Sequence, residues 1–323
     1  MKLSRILSLV LALVLALSMT AALAEEEPAV RIASMKGPTS MGLVKLMHDN
    51  DAGETAQTYE FTLSGTANEI VPLLTRGELD IAMVPCNLSS VLYNNTGAVK
   101  VIAINTLGVL YIVENGETIS SVADLKGKTI YSTGKGTTPE FALNYILTQN
   151  GLSPETDLTI EYKSEATEVL AALTSDSAAI GVLPQPYVTA ALAQSEGLRV
   201  ALDLTEEWDR VSDDSRLITG VAVVRSEFLE AHPEAVTTFL SEYAASVDYV
   251  NQNPAEAAEW IADLGIVAKA PIAQKALPAC NIVCLTGDEM KTAISGYLEV
   301  LFGQDPASVG GALPNEDFYY VAP

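Results

Sequence analysis

One pattern occurs twice in the chain, at a constant distance along the sequence. Residues 65–85 read GTANEIVPLLTRGELDIAMVP and residues 164–184 read SEATEVLAALTSDSAAIGVLP, so that matching positions are 99 residues apart. In each copy, apolar residues at helical spacing lead through a polar turn into a short apolar run that ends at proline. The repeat predicts two lobes built on one plan; the alternative is two strand–helix units that match by chance.

The remaining sequence alternates short apolar runs with helical patterns. AVRIAS (29–34) and YEFTLS (59–64) are typical of strands in the first lobe, and KTIYS (128–132) of a strand in the second. Long helical patterns cover residues 233–253 and 287–302. This alternation predicts an α/β fold in which each lobe is a mostly parallel sheet flanked by helices.

Two apolar segments, 101–113 and 217–224, are candidates for the places where the chain crosses between lobes. Each contains a small or polar break, at Asn105-Thr106 and at Thr219-Gly220, and we predict that these breaks are the hinge. The predicted division is a discontinuous lobe 1 of residues 25–106 and 219–323, and a lobe 2 of residues 107–218.

The first 24 residues have the features of a secretory signal peptide. Lys2 and Arg5 precede an apolar stretch at 6–17, and Ala22-Leu23-Ala24 matches a small-x-small cleavage site. The alternative, a membrane anchor, is disfavoured because the apolar stretch is shorter than the roughly 20 residues that span a bilayer. We expect export to the periplasm or the cell exterior with cleavage after Ala24. No cysteine follows the apolar stretch, so a lipid anchor is not predicted and the means of retention stays open.

Composition excludes several function classes. The 18 basic and 41 acidic residues give a net charge of −23, and residues 1–24 hold two of the basic ones, so the exported chain carries −25. Such a charge disfavours nucleic acid and anionic membranes as partners. Three cysteines (Cys86, Cys280 and Cys284) and two histidines (His48 and His232) are too few for a metal site or a histidine-based triad. We expect structural thiols and no cofactor, whereas a disulfide among them stays open.

The loop STGKGTTPEF (132–141) combines glycines, lysine and threonines before a helix. Its order differs from the phosphate loop G-x-x-x-x-G-K-[ST], so a nucleotide is not predicted. Thr137 or Thr138 is expected to cap the helix that Pro139 starts, leaving backbone N–H groups for an anionic or polar group. Lys135 could pair with that group, or it could be an ordinary solvated lysine.

Three stretches carry a resemblance to a known family: GELDIAMVP with the preceding GTANEIVPLL, VADLKGKTIYSTGKGTTPEFAL, and AAIGVLPQP. They resemble the type II solute-binding proteins of ABC importers, most of all the branch associated with nitrate, sulfonates, taurine and pyrimidine precursors of thiamine. The resemblance covers essentially the whole exported chain. It implies a monomer that captures a small, anionic or polar organic solute between its lobes by hinge closure. The implied partner is a membrane permease.

In such a fold the ligand contacts the loops after the carboxyl ends of the strands. Thr66 and Glu69 also fit a capping box, so Thr66 could be a helix cap alone. Tyr187 and Trp208 could line the second lobe's part of the pocket or pack beneath it. The predicted ligand contacts are Met35, Lys36, Thr39, Ser40, Gly65, Thr66, Ala67, Cys86, Asn87, Lys135, Gly136, Thr137, Thr138 and Gln185.

Two other function classes compete with solute binding. An enzyme resembling the pyrimidine-precursor synthase of similar fold would need a histidine and a cysteine-rich motif, and the chain lacks that motif. A secreted hydrolase would need a nucleophile elbow, G-x-S-x-G, which is also absent. A ligand-sensing module would need a fused signalling domain or a transmembrane helix, and neither is written in residues 25–323. We therefore predict a binding protein without catalytic residues.

Overall fold

The computed structural model describes residues 28–212 and 215–321, so the predicted signal peptide lies outside the described residues. Two sheets occupy these ranges. The strands are β1 (Val30–Met35), β2 (Tyr59–Ser64), β3 (Ile81–Pro85), β4 (Val99–Leu107), β5 (Leu110–Asn115), β6 (Thr129–Ser132), β7 (Thr159–Tyr162), β8 (Ile180–Pro184), β9 (Leu198–Asp203), β10 (Ile218–Arg225) and β11 (Ile282–Leu285).

Helices cover both sheets and connect most of the strands. They are α1 (Pro38–Met41), α2 (Val44–Ala52), α3 (Ala67–Thr75), α4 (Cys86–Thr96), α5 (Thr138–Gln149), α6 (Ala166–Ser175), α7 (Tyr187–Gln194), α8 (Leu204–Val211), α9 (Ser226–Ala231), α10 (Pro233–Gln252), α11 (Pro254–Asp263), α12 (Ala270–Ala276) and α13 (Gly287–Gln304). Among the described helices, none combines the length and the apolar character that a membrane crossing requires.

The α/β prediction is confirmed, with one correction to strand direction. Sheet A has the order β11-β4-β10-β3-β1-β2, and sheet B has the order β7-β6-β8-β5-β9. Most strands of each sheet run one way, but β10 lies antiparallel between β3 and β4, and β5 lies antiparallel between β8 and β9. Both sheets are therefore mixed. Each of β5 and β10 is the first strand that the chain forms on entering its sheet from the other one, so it is not joined to its neighbours by the strand–helix–strand crossover that parallel pairs need. β11 also lies antiparallel to β4.

The sequence repeat corresponds to a structural repeat. Helix α3 begins at Ala67 and α6 at Ala166, while β3 and β8 end at Pro85 and Pro184. The helix starts and the strand ends of the two copies are therefore 99 residues apart, as in the sequence repeat. One copy contributes β3 to sheet A and the other contributes β8 to sheet B. This arrangement supports the two-lobe plan, although the stated lobe boundaries stay a prediction.

The crossings lie a few residues from the predicted hinge positions. Only Gly108 and Val109 separate β4 of sheet A from β5 of sheet B, and the second crossing joins the end of α8 to the start of β10. Asn105-Thr106 and Thr219-Gly220 instead lie inside β4 and β10, where Gly220 pairs with Thr106. The pairing of β10 with β4 is irregular there, with register shifts on both sides of Gly220 that leave Thr219 and Asn105 without a partner in this pair.

The two crossings touch each other at a glycine. A Cβ on Gly108 would lie 2.1 Å from Thr205 Oγ1 and 3.0 Å from a Leu217 methyl group. Asn281 has a left-handed backbone conformation, with φ of 45°, and its side-chain amide donates to the Gly108 carbonyl at 2.5 Å. Asparagine tolerates this conformation better than most residues. The junction therefore depends on a residue without a side chain at position 108.

Each sheet contains one buried carboxylate paired with arginine. In sheet A, Asp80 accepts bonds from Arg31 and Arg225. In sheet B, Glu114 accepts from Arg199 and from the backbone N–H of Ile119. Charges this deep are stable only when paired and hydrogen-bonded.

Trp208 packs in the core and does not line a pocket. Its ring is fully buried, with the centroid 4.4 Å from that of Tyr145 and 5.6 Å from that of Tyr297. Tyr297 belongs to α13 and Tyr145 to α5, so the ring cluster joins a helix that packs on sheet A to helices of sheet B. One apolar core therefore continues between the two sheets along this side.

Candidate functional site

A cavity of about 650 Å³ lies where the carboxyl ends of strands from both sheets meet. Sheet A contributes Lys36 and Gly37 after β1 and Gly65 after β2. Sheet B contributes the start of α7, which follows β8, with Tyr187 at its first position. The segment 265–272, which covers the loop after α11 and the first turn of α12, forms a further wall. The volume lies within the range of pockets that bind small organic molecules.

The charge of this cavity is opposite to that of the protein. Its described lining contains two lysines, Lys36 and Lys269, and no aspartate or glutamate. Lys36 Nζ lies 3.7 Å from where Gly265 would carry a Cβ, so the ammonium group is close to the 265–272 wall. Five other lysines form ion pairs with acids, but neither cavity lysine does so among the described residues. Both remain available to an anion.

A second group of predicted residues meets at the end of sheet A. The Asn105 side-chain amide donates to the Thr39 carbonyl at 3.1 Å. A Cβ on Gly220 would lie 2.4 Å from Asn105 Oδ1 and 3.2 Å from the Thr39 methyl group. Positions predicted as hinge therefore contact a position predicted to bind ligand. Gly220 also pairs with Pro85, directly before Cys86, so the turn after β3 adjoins the same place.

Several predicted residues carry buried polar atoms without a hydrogen-bond partner in the described structure. Such atoms are uncommon in folded proteins and each calls for an explanation. One explanation is that a bound ligand or water supplies the missing hydrogen-bond partner. This explanation suits polar side chains at the carboxyl ends of strands, where ligands bind in such folds. The atoms are Asn87 Oδ1, Asn105 Oδ1, Thr106 Oγ1, Thr138 Oγ1 and Thr219 Oγ1.

Three helix N-termini are already neutralised by the protein's own carboxylates. Glu69 accepts the Gly65 N–H at 3.1 Å, Glu168 accepts the Ser164 N–H at 2.9 Å, and Glu140 accepts the Gly136 N–H at 2.5 Å. A carboxylate at a helix N-terminus offsets the partial positive charge there. The glutamates therefore weaken these helix ends as anion sites, including the start of α5, where the sequence predicted an anionic or polar group.

The positions predicted for the threonine caps are confirmed, but the side-chain hydrogen bonds of a cap are not formed. Thr66 and Thr137 occupy the N-cap positions of α3 and α5, but neither side chain accepts a bond from the helix. The Thr137 hydroxyl donates to the Gly134 carbonyl at 2.6 Å instead. Glu69 and Glu140 instead bond the N–H of the residue before each cap.

The opening of α5 lies apart from the cavity lining. Lys135 is exposed, with Nζ 5.7 Å from the ring centroid of Tyr162. Neither Lys135 nor Gly136 is among the residues that line the cavity. An anion site at this loop remains a prediction, whereas Lys36 and Gly65 do lie in a common cavity.

The other predicted contacts are placed as follows. Cys86 is fully buried in the apolar core, where burial raises the pKa of its thiol. The Ser40 hydroxyl donates to the Gly37 carbonyl at 3.1 Å, and Gln185 Oε1 accepts the Thr189 hydroxyl at 2.8 Å. Met35 and Ala67 are half-buried beside these turns.

The structure answers the question about the thiols. Cys86, Cys280 and Cys284 are all free. His48 stacks on Trp260, with ring centroids 4.5 Å apart, and the ring of His232 is tilted against that of Phe228. The described residues contain no group of three or more metal-ligating side chains.

Sequence reasoning missed the 265–272 wall, including Lys269. This segment lies some 230 positions after Lys36 and has no motif of its own. The segment 265–272 reaches the cavity only because the chain returns through β10 to sheet A. Tyr187, left open between lining and packing, lines the cavity and is 38 % exposed.

Comparison with known proteins agrees with this architecture. A family model described as "ABC transporter, phosphonate, periplasmic substrate-binding protein" matches residues 52–277, which is more than two thirds of the chain. No curated protein matches the chain.

Three solved structures illustrate the likeness in fold. An ABC transporter protein from Parabacteroides distasonis is 24% identical with a TM-score of 0.76, covering 90% of this chain and 98% of its own. The periplasmic aliphatic sulphonate binding protein SsuA from Escherichia coli is 17% identical, with a TM-score of 0.69 and coverages of 89% and 92%. The alkanesulfonate-binding protein SsuA from Xanthomonas axonopodis pv. citri, bound to MOPS, is 16% identical, with a TM-score of 0.67 and coverages of 90% and 96%.

These likenesses show the fold, and the family model carries the assignment. The chain belongs to the family of phosphonate-type periplasmic substrate-binding proteins of ABC transporters, and it is a solute-binding component of such an importer.

Proposed function

We propose that the protein captures a small anionic or polar organic solute between lobes built on sheets A and B, and delivers it to a membrane permease. The observation that carries the proposal is the cavity at the carboxyl ends of strands from both sheets, with two unpaired lysines in its wall. The names of the solved relatives, which include sulfonate-binding proteins, favour an oxyanion. We further propose that the protein is a monomer and not an enzyme.

Ligand is expected to draw the two lobes together, since the closed state gains contacts from both sides of the cavity. The measurement is small-angle X-ray scattering on protein stripped of ligand by partial unfolding and refolding, then saturated with the compound that mass spectrometry finds co-purified with it. The radius of gyration should fall. A second measurement, the distance between spin labels on α2 and α6 by electron paramagnetic resonance, should fall as well. Unchanged values at saturation would rule out closure as the binding mechanism.

The exported protein is expected to begin at Glu25, because Ala22-Leu23-Ala24 forms the cleavage pattern. Amino-terminal sequencing of protein recovered outside the cytoplasm checks this. Recovery of a chain that starts at Met1 would contradict the proposed export route.

A further inference from the structure

The cavity between the sheets is cationic in a strongly acidic protein. The whole chain has a net charge of −23, yet the described lining contains Lys36 and Lys269 and no acid. Of the helices beside the cavity, neither α1 nor α7 has an acidic residue in its first turn, whereas Glu69 of α3 bonds the N–H of Gly65 at the edge of the lining. Helices α3, α5 and α6 each have a glutamate in the first turn. An anion between the lobes is therefore held best at the lysine side.

Apart from Gln194, the remaining side chains of the cavity wall are apolar, and they include the aromatic ring of Tyr187. Tyr187, at the first position of α7, is 38 % exposed. Ile266 and Ile272 lie in the opposite segment, and Ala190 lies one turn after Tyr187. An exposed ring facing aliphatic side chains favours a ligand with an apolar body, because such surfaces gain free energy when covered.

The volume of the cavity favours a ligand larger than a one- or two-carbon acid. A cavity of about 650 Å³ is in the middle of the range occupied by drug-sized ligands. A one- or two-carbon acid would leave most of the apolar wall in contact with water. The two lysines, the apolar lining and the volume of the cavity together indicate a ligand with an anionic part and an apolar part.

We infer that the ligand is an organic acid with an apolar, preferably aromatic, body of about six or more carbons. Its anionic head lies between Lys36 and Lys269, and its body contacts Tyr187 and the 265–272 wall. Lys269 thereby becomes a specificity-determining residue supplied by the carboxyl-terminal part of the chain. The inference rests on the proposed function, because it concerns the ligand of the same cavity.

Three probes separate the two parts of the ligand. Calorimetric titration with benzylsulfonate, which has both head and body, is compared with methanesulfonate, which has no body, and with benzyl methyl sulfone, which has no charge. Benzylsulfonate is expected to bind at least tenfold more tightly than either. Equal binding of the neutral sulfone, or no binding of benzylsulfonate at millimolar concentration, overturns the inference.

Variants locate the head group. Lys36→Met and Lys269→Met are each expected to weaken benzylsulfonate binding about tenfold, because each removes a charge-assisted contact. Lys275→Met is the matched control, since this lysine lies on α12 but does not line the cavity. It should change affinity less than twofold. Loss of binding in Lys135→Met with full binding in Lys269→Met would place the anion at α5 and contradict the inference.

The experiments distinguish a failure of this inference about the ligand from a failure of the proposed function. If a co-purified ligand closes the lobes while Lys269→Met binds it as wild type does, the inference fails and the solute-binding mechanism stands. If no compound changes the distance between the lobes, the closure mechanism fails independently of the lysines. The thermal midpoint of each variant confirms that an affinity change is not a folding defect.

Discussion

Replacement of Asp80 by asparagine is expected to lower the free energy of unfolding by about 3 kcal/mol at neutral pH. Asp80 is 2 % exposed and accepts the Arg31 Nε–H at 2.9 Å, the Arg31 Nη2–H at 2.6 Å and the Arg31 backbone N–H at 3.0 Å. Arg225 donates from the other side at 3.3 Å. An amide cannot satisfy both guanidinium groups, so positive charge stays partly buried without a partner.

This loss in free energy of unfolding should be at the lower end of the range seen when one partner of a buried ion pair is removed. The Arg31 side chain is 35% exposed and can regain water, whereas Arg225 is only 18% exposed. Urea unfolding is the measurement. Glu78→Gln is the control, because Glu78 lies two positions away and pairs with Arg76 where both side chains are more than half exposed. The control should leave the midpoint unchanged. A midpoint in Asp80→Asn equal to that of the control would show that the pair does not stabilise sheet A.

The ion pair between Asp80 and Arg31 also predicts that the stability of the protein depends on pH. Burial alone raises the pKa of Asp80, but the hydrogen bonds from Arg31 outweigh burial and hold the pKa below its usual value. A carboxyl group whose pKa is lower in the folded than in the unfolded state stabilises the fold fully above its unfolded pKa, about 3.9. That stability disappears as the pH falls through the folded value. The difference between wild type and Asp80→Asn should therefore shrink in acid.

Replacement of Gly108 by alanine is expected to destabilise the protein by about 1–3 kcal/mol, the usual effect of forcing an extra group into packed structure. The new Cβ would lie 2.1 Å from Thr205 Oγ1, so the threonine must rotate, and 3.1 Å from Thr205 Cβ, which rotation does not relieve. Because this contact joins the two crossings, the variant should also alter the separation of the lobes. Thermal unfolding and scattering measure the two effects.

A second substitution tests the cause. Thr205→Ala removes the hydroxyl that the new Cβ meets, so it should restore most of the stability lost in Gly108→Ala. Gly303→Ala serves as the control, because nothing lies within 4 Å of its Cβ position near the end of α13. Alanine there is expected to be neutral or slightly stabilising, as in most helices. No recovery in the double variant would mean that the contact between crossings is not the source of strain.

The sequence by itself determined the layered α/β plan and the repeat. Apolar spacing and terminal prolines set the ends of β3 and β8, since local burial patterns depend on neighbours along the chain. It also placed Lys36 and Gly65 at strand ends, where both line the cavity. These features depend on short segments, which is why pattern reasoning could reach them.

Tertiary structure decided what depends on distant segments. The antiparallel positions of β5 and β10 and the contact of Gly108 with Thr205 follow from how the chain leaves sheet A and returns to it. The same return brings Lys269 to the cavity that Lys36 lines. The glutamates that neutralise three helix N-termini are visible in the sequence. Their effect on an anion site depends on which helix ends face the cavity. Electrostatic attraction acts between groups close in space, and only the folded chain fixes which charges those are.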